Sequence, residues 1–583
     1  MNSETRSCQV CHKDFEIADQ DFAFYERIQV PSPTFCPRCR DQRRLTFRNE
    51  RSLYRRKCDL CAKGMIARFS PDKTFPVHCR ECWWSDKWDP KSYGREYDFS
   101  RPFFEQFQEL LYSVPHVALI SSNVTNSDWV NQETDVKNCY LNFGGHFNED
   151  SAYNIFELRG KNSFDNYWLL SGELCYECIN CETCYRTFFS RDCTECRNVI
   201  LSVDCRNCSD CFGCAGLRNK RHCIFNQQHS KEEYEKFMEE NPLTFSNLQK
   251  LRAKAEEVWL ATPHRFATIF KCQDVTGDVL SESKNARNAW FSEKLEDCRH
   301  IYIAADLKDT VDATALGWSQ LSYECAHAMG LSNSKFCTYS IVSGTGAPAS
   351  MGLEYCYGTV TSSNCFGCVN LSKGEYCILN KQYSKEDYIE LREKIVKQML
   401  QLPYRDSRGR QYLYGEFFPS DISLYVYNET GAQDYYPLTR EEAEAQGFRW
   451  SEFKDIPAES VSSEPIPDDI REVTNDILNQ VFRCEISGKA YKIIPMELEF
   501  YRRAGLPLPR RSPEQRQKDR IRKLLPKILF KRECDCRGAE GKLTNKTTHF
   551  HGDSRCPNKF ETPYAPDLPD TVYCESCYNN EVS

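Results

Sequence analysis

The chain runs to 583 residues with a formal net charge of −8, so it holds several globular domains and offers no global attraction to nucleic acid. Its 34 cysteines fall largely in C-x2-C pairs, which suit metal in a reducing compartment better than a secreted disulfide framework. The polar start runs straight into the first cysteine and no run of about 18 apolar residues follows, so the expectation is a cytoplasmic protein with no membrane partner.

In chain order, residues 1–50 carry Cys8-x2-Cys11 and Cys36-x2-Cys39, two knuckles that set four thiolates for a tetrahedral zinc. Residues 51–99 repeat the device with Cys58, Cys61, Cys79 and Cys82, beside Trp83 and Trp84; His78 reads as a bystander to that complete set. The stretch from Cys8 through Phe15, Ile17, Phe24 and Tyr25 to Cys36-Pro37-Arg38-Cys39 resembles the bacterial zinc-ribbon domain family over the first 45 residues. That resemblance implies a zinc-binding fold and no particular activity. His12 replaces the family's usual glycine. The rest of the chain resembles large uncharacterised cysteine-rich bacterial proteins, a likeness that transfers no function.

Residues 100–126 read as a helical connector, with Ser100 as N-cap and Val114-Pro115 as its stop. From Cys139 a twelve-residue period sets in, through Ser151, Ser163, Cys175, Thr187, Val199, Cys211 and Cys223. Three places on, every residue is small or polar; one place on, nearly all are bulky. This first array (127–229) is followed by a helical cap and connector (230–276) and a second array (277–383) through Ala289, Ile301, Ala313, Cys325 and Cys337. The second array slips by four residues near Gly344–Gly352 and resumes at Leu353, Cys365 and Cys377. Ser230 and Ser384 read as N-caps of closing helices, the second over 384–400. Such a period suggests a β-solenoid. Twelve residues make one narrow coil of small interior residues, or two units make a wider coil with the aromatics inside. Cys175, Cys178, Cys181 and Cys184 read first as a buried structural ladder, with further metal or redox chemistry as alternatives.

After an irregular linker (401–475), with a capping box at Thr439 and a polar run over Ser460–Pro467, residues 476–533 duplicate the first module without gaps. Cys484 matches Cys8, but Ser487, Ser512 and Gln515 stand where Cys11, Cys36 and Cys39 should be, so this copy folds without metal. Residues 534–583 duplicate the second module with Cys534, Cys536, Cys574 and Cys577; the C-x-C knuckle is short, and His549, His551 or Cys556 could replace Cys536. The fold expected is thus multidomain and mainly β, with zinc-ribbon or treble-clef-like modules at both ends of two solenoid-like arrays with short capping helices. About three zinc ions are expected, one for each complete set.

No phosphate loop, nucleophile elbow or H-E-x-x-H helix is present. The reading is a non-enzymatic zinc-binding scaffold that meets an unknown protein partner through its arrays. One alternative is RNA binding through Arg40, Arg43, Arg44, Arg48, Arg55 and Arg56, with Phe47, Tyr54, Trp83 and Trp84 available to stack on bases and a matching basic run from Arg502 to Arg532. Against it stand two plainer readings, a solvated helix face or pairing of these arginines with acidic residues of the arrays. A redox or metal-handling protein using the repeat cysteines is the remaining alternative.

Overall fold

The computed structural model describes residues 3–339, 350–452, 461–462 and 464–582. Sheet dominates, with short helices between. The chain divides into two units, each assembled from separated segments: Met1–Leu119 with Thr268–Ser451, and Ile120–Ala267 with Glu452–Ser583. The amino-terminal cysteine modules therefore share a unit with the second array, and the carboxy-terminal modules with the first.

In the second unit, strands from Ser121–Thr125 to Ile179–Glu182 form one parallel ladder, and those from Arg197–Ile200 to Arg221–Ile224 another. Every parallel pairing advances by twelve residues, as in Ile155↔Tyr167, Tyr167↔Ile179 and Ser209↔Arg221, and single bridges such as Ile179↔Arg191 and Tyr185↔Arg197 carry the same interval from one ladder to the other. Within each twelve, every third residue is left-handed: Asn162, Asp165, Trp168 and Ser171 have φ of 50°, 57°, 58° and 51°. A left-handed non-glycine residue costs on the order of 1–2 kcal/mol, least for Asn and Asp. Those two types recur at the corners and bond to their counterparts a rung away, Asn126 to Asn138 at 2.9 Å and Asn138 to Asp150 at 2.8 Å.

The residue after each corner points into the ladder, which explains its small polar character. Its own N–H has no strand partner and needs an acceptor from the previous rung. Asn154 Oδ1 accepts from Asn166 N at 2.8 Å, Ser163 Oγ from Cys175 N at 3.2 Å, and Asn166 Oδ1 from Cys178 N at 2.8 Å. The thiols return weak bonds to carbonyls, Cys178 Sγ to Thr187 O at 3.2 Å among them. Cys175 through Cys223 line this interior with Leu169 and Val199. The aromatic column lies on the outside. Phe164 stacks on Phe500 at 4.3 Å between ring centres, and the column from Ala152 to Ile224 packs beneath the helix Phe245–Leu260 and residues between Ile470 and Leu508.

Two glutamates occupy inward positions near the start of this array. Glu133 and Glu157 are fully buried, and their amide partners are Asn148 to Glu133 at 3.2 Å and Asn154 to Glu157 at 2.9 Å. Burial pushes Glu133 from its ordinary 4.5 up to about 8, and raises Glu157 as well, with the Glu133 charge adding to it. A carboxyl that is neutral when folded and ionised when unfolded stabilises fully below its unfolded pKa, and that stability is lost as pH rises through the folded value. Glu133 is therefore expected to cost this unit about 1.4 kcal/mol per pH unit between 4.5 and 8. Glu133→Gln should flatten that slope in urea unfolding followed from pH 5 to 9; an unchanged slope would reject the assignment.

The first unit's array pairs ten strands from Ile269–Phe270 to Lys381–Gln382. It opens with an eleven-residue step (Ile269↔Leu280), then keeps twelve, as in Gly277↔Ala289 and Arg299↔Val311. Leu331 pairs with Ser350 and Lys335 with Glu354, a step of nineteen. The slip is seven residues rather than four, so Leu353 follows Ser334, whose Oγ accepts from Leu353 N at 3.2 Å, and Cys356 follows Cys337. The part of Gly344–Gly352 before Ser350 lies outside the described residues, as do Ser460 and Ser463 of the polar run. Both arrays close on an antiparallel pair, Cys223↔Gln228 and Cys377↔Gln382. The serine caps follow at once: Ser230 Oγ accepts from Glu233 N and Ser384 Oγ from Asp387 N. Ser100 does not cap its helix; Pro102 holds that place and Ser100 Oγ bonds Asp98 instead.

The terminal modules repeat each other. The hairpin Glu4–Ser7/Asp14–Ile17 leads to helices Asp19–Arg27 and Pro37–Leu45; Phe482–Arg483/Ala490–Tyr491 leads to Pro495–Ala504 and Pro513–Arg522. Second hairpins follow at Tyr54–Lys57/Gly64–Ala67 and Phe530–Glu533/Lys559–Thr562. His12 and Gly488 hold the same turn at φ of 55° and 69°, a left-handed conformation that glycine adopts most readily.

Candidate metal centres

In the first module the hairpin turn supplies Cys8 and Cys11, and the N-terminus of the helix Pro37–Leu45 supplies Cys36 and Cys39. Their sulfurs all lie within 4.8 Å of one another, with Cys11 and Cys36 at 3.7 Å. A tetrahedral zinc with bonds of ~2.3 Å sets its sulfurs ~3.8 Å apart. The Cys36 N–H donates to Cys8 Sγ at 3.3 Å, a bond that favours the thiolate form a metal ligand needs.

Cys58, Cys61, Cys79 and Cys82 form the second group on the same plan, with Cys61 and Cys79 at 3.8 Å and Cys79 N donating to Cys58 Sγ at 3.2 Å. Burial raises the Cys58 thiol, but the N–H groups of Cys79, Cys61 and Leu60 outweigh it and bring it down to about 7. His78 stays outside the group, edge-on to Trp88 at 5.6 Å.

The carboxy-terminal set differs from the sequence reading. Cys534, Cys574 and Cys577 converge with Cys556, not with Cys536. Cys534 N bonds Asn558 O at 2.9 Å as Cys58 N bonds Lys63 O, which places Cys556 on Cys61. One intervening residue cannot return the chain to the same centre, so the excursion from Cys536 to Cys556 brings in the fourth thiol. The alignment of Cys556-Pro557-Asn558 with Cys61-Ala62-Lys63 is the signal that finds it. Cys536 instead lies with His549, His551 and Cys577 in a fourth group, whose ligand atoms also fall within 4.8 Å of one another.

Among the described residues these four groups could hold a metal, and none draws on a cysteine of the arrays. In the degenerate copy Cys484 is buried and Ser487 N points to its sulfur at 3.5 Å. Ser512, in place of Cys36, caps its helix by accepting from Gln515 N at 3.3 Å. A serine cap here does by hydrogen bond part of what a metal would do in the first module.

The arginines offered to nucleic acid point inward. Arg40 meets Asp312 at 2.8 Å, Arg43 meets Glu324 at 2.8 Å and Glu416 at 3.0 Å, and Arg44 lies 3.5 Å from both Asp312 and Glu324. All three arginines are at most 4% exposed, Asp312 and Glu324 are fully buried, and Arg48 is buried against Glu50. Burial would raise Asp312, but Arg40 and Arg44 outweigh it and hold it low. The second unit uses the same device. Arg516 and Arg520, the counterparts of Arg40 and Arg44, reach Asp165 at 2.9 and 2.7 Å. The duplicated arginines thus fasten a helix to an array, in the copy that lacks three of the four cysteines as in the one that has them.

Arg56 pairs with Asp59 at 2.9 Å, and Arg55 is the exposed member of the proposed set. Phe47 is buried against Phe417 and Phe418, Tyr54 bonds Glu429 at 2.5 Å and Trp83 packs on Trp88, which leaves Trp84 as the exposed ring of the four proposed to stack on bases.

No helix among the described residues is long and apolar enough to cross a membrane. No family model matches the chain, and no curated protein matches it. Among solved structures, an acetyltransferase-like protein from Desulfovibrio desulfuricans G20 is similar at 10% identity over 51% of this chain and 78% of that one, with a TM-score of 0.10. At that score the likeness bears on neither fold nor function. What the chain does show is a cysteine-rich architecture with side-chain groups that could hold metal ions.

Proposed function

We propose that this protein is a zinc-stabilised, non-enzymatic scaffold whose two arrays are narrow β-solenoids that bind a protein partner. The first 45 residues are, on this reading, a member of the zinc-ribbon family. The metal is zinc, because closed sets of four thiolates at these spacings suit its tetrahedral preference and leave no open position for catalysis. The inward thiols of the arrays are structural, each replacing a serine or asparagine that serves the next rung.

One observation carries the reading. The four-cysteine groups present complete ligand sets with only Cys61 exposed, whereas the rungs repeat the same outward positions at a fixed interval. In the second unit the corner column Asn126, Asn138, Asp150 and Asn162 lines a groove of about 650 Å³ together with Trp129 and Arg503. Such a row of amides and carboxylates suits an extended peptide, whose main chain needs partners at regular spacing.

The full-length protein, treated with nuclease and used as bait in extract of its own host, should retain a discrete protein partner in 0.5 M salt. Asp150→Ala with Arg503→Ala should release that partner without altering the zinc content. Retention of nucleic acid that falls steeply with salt, or thiols that cycle with a reductant, would overturn the scaffold reading.

A further inference from the structure

The group of Cys536, His549, His551 and Cys577 shares one residue with the neighbouring four-cysteine group, and that residue is Cys577. We propose that the carboxy-terminal module holds two zinc ions bridged by the Cys577 thiolate, one bound by Cys534, Cys556 and Cys574 and the other by Cys536, His549 and His551.

The distances fit on both sides of the bridge. Cys577 Sγ lies 3.6 Å from Cys556 Sγ and 3.3 Å from His551 Nε2, while Cys536 Sγ lies 3.2 Å from His549 Nδ1. Each is the edge of a tetrahedron around a metal, where ligand atoms stand roughly 3.3–3.8 Å apart.

A second observation is independent of these distances. Each histidine turns one nitrogen to the sulfurs and has the other held from behind: His549 Nε2 by Glu581 Oε1 at 2.8 Å, His551 Nδ1 by Ser554 O at 2.7 Å. That is the arrangement by which metal-ligating histidines are oriented and made more basic. The helix Glu575–Val582 delivers both the bridge and Glu581, one turn apart on the same face, and Glu581 also accepts from Lys546 N at 3.0 Å, fixing the loop that carries His549.

Charge favours two ions over one. Five thiolates around two divalent ions leave a single net negative charge, half that of an isolated four-cysteine centre. Around one ion, Cys536 would remain as a fully buried thiol among imidazoles with no metal to meet. Cys536, His549 and Glu581 also align as nucleophile, base and orienting carboxylate would. Burial of Cys536 denies that line a substrate, and it leaves the aim of His551 at Cys577 unexplained.

The proposal rests on the reading of the three four-cysteine groups as zinc centres. Full-length protein expressed with zinc and dialysed against metal-free buffer should contain four zinc ions per chain by elemental analysis. The double variant H549A/H551A should contain three, and C536S should bind the fourth ion more weakly or lose it. Cobalt-loaded protein should show a coupled pair, with a lowered magnetic moment that the double variant restores. Three ions in the unaltered protein would overturn this inference alone, as would four ions unaffected by the histidine changes. Fewer than three would overturn the zinc-centre reading beneath it. The count on the unaltered protein holds whether or not a variant folds.

Discussion

Asp165→Ala is expected to destabilise the second unit by about 3–5 kcal/mol, because it removes the carboxylate shared by Arg516 and Arg520, both at most 2% exposed, and leaves Arg520 only the neutral acceptors Tyr153 O and Gln517 while Arg516 keeps Glu497. The loss should appear as an early transition in urea or thermal unfolding, since a chain of two units need not unfold in one step. Asp312→Ala should weaken the first unit through Arg40 and Arg44, less steeply because Glu324 still lies 3.8 and 3.5 Å from them. Removing the whole charged cluster together, as R516M/R520M/D165L/E497Q, should cost much less, because most of the penalty lies in a buried charge left alone rather than in the worth of the pair. Equal losses for the single and combined variants would show that packing, not charge, holds the helix to the array.

Cys39→Ser is expected to release one zinc ion and unfold the first module, because apparent zinc affinities in small modules reach about 10–16 kcal/mol and are folding energy there. Cys484→Ser, at the matching first position of the degenerate copy, should cost at most about 1–2 kcal/mol, since only a weak sulfur acceptor is altered. Zinc release to a chromogenic chelator and unfolding of both variants decide the matter. Full zinc in Cys39→Ser, or collapse of Cys484→Ser, would contradict the division into live and dead centres.

Spacing made the amino-terminal ligands legible, because a C-x2-C knuckle is a local device whose geometry follows from four consecutive residues. It did not place Cys536, because the four-cysteine group there is completed by Cys556, twenty residues on, and Cys536 falls in the neighbouring group instead. The twelve-residue period was legible for the same local reason, but the slip was not. The inward position recurs every three residues within the twelve, so shifts of four and seven give the same pattern of small residues. Only the pairing of Leu331 with Ser350 separates them. The arginines failed differently: a basic run on a helix looks alike whether it faces solvent or a buried carboxylate, and Asp312 and Glu324 stand some 270 residues away in sequence. The same distance hid the assembly of each unit from segments of opposite halves of the chain.

That assembly sets a schedule for synthesis. Phe164 and Tyr176 leave the ribosome long before Phe500 and Tyr501, the rings that cover them. At roughly 5–20 residues per second, the outer aromatic column of the first array waits about 15–65 s for its cover. During that interval the nascent chain exposes a row of large apolar side chains at a regular spacing, a target for chaperones and for other nascent copies alike. Slow translation or truncation ahead of residue 500 should therefore yield aggregate rather than a shorter soluble protein.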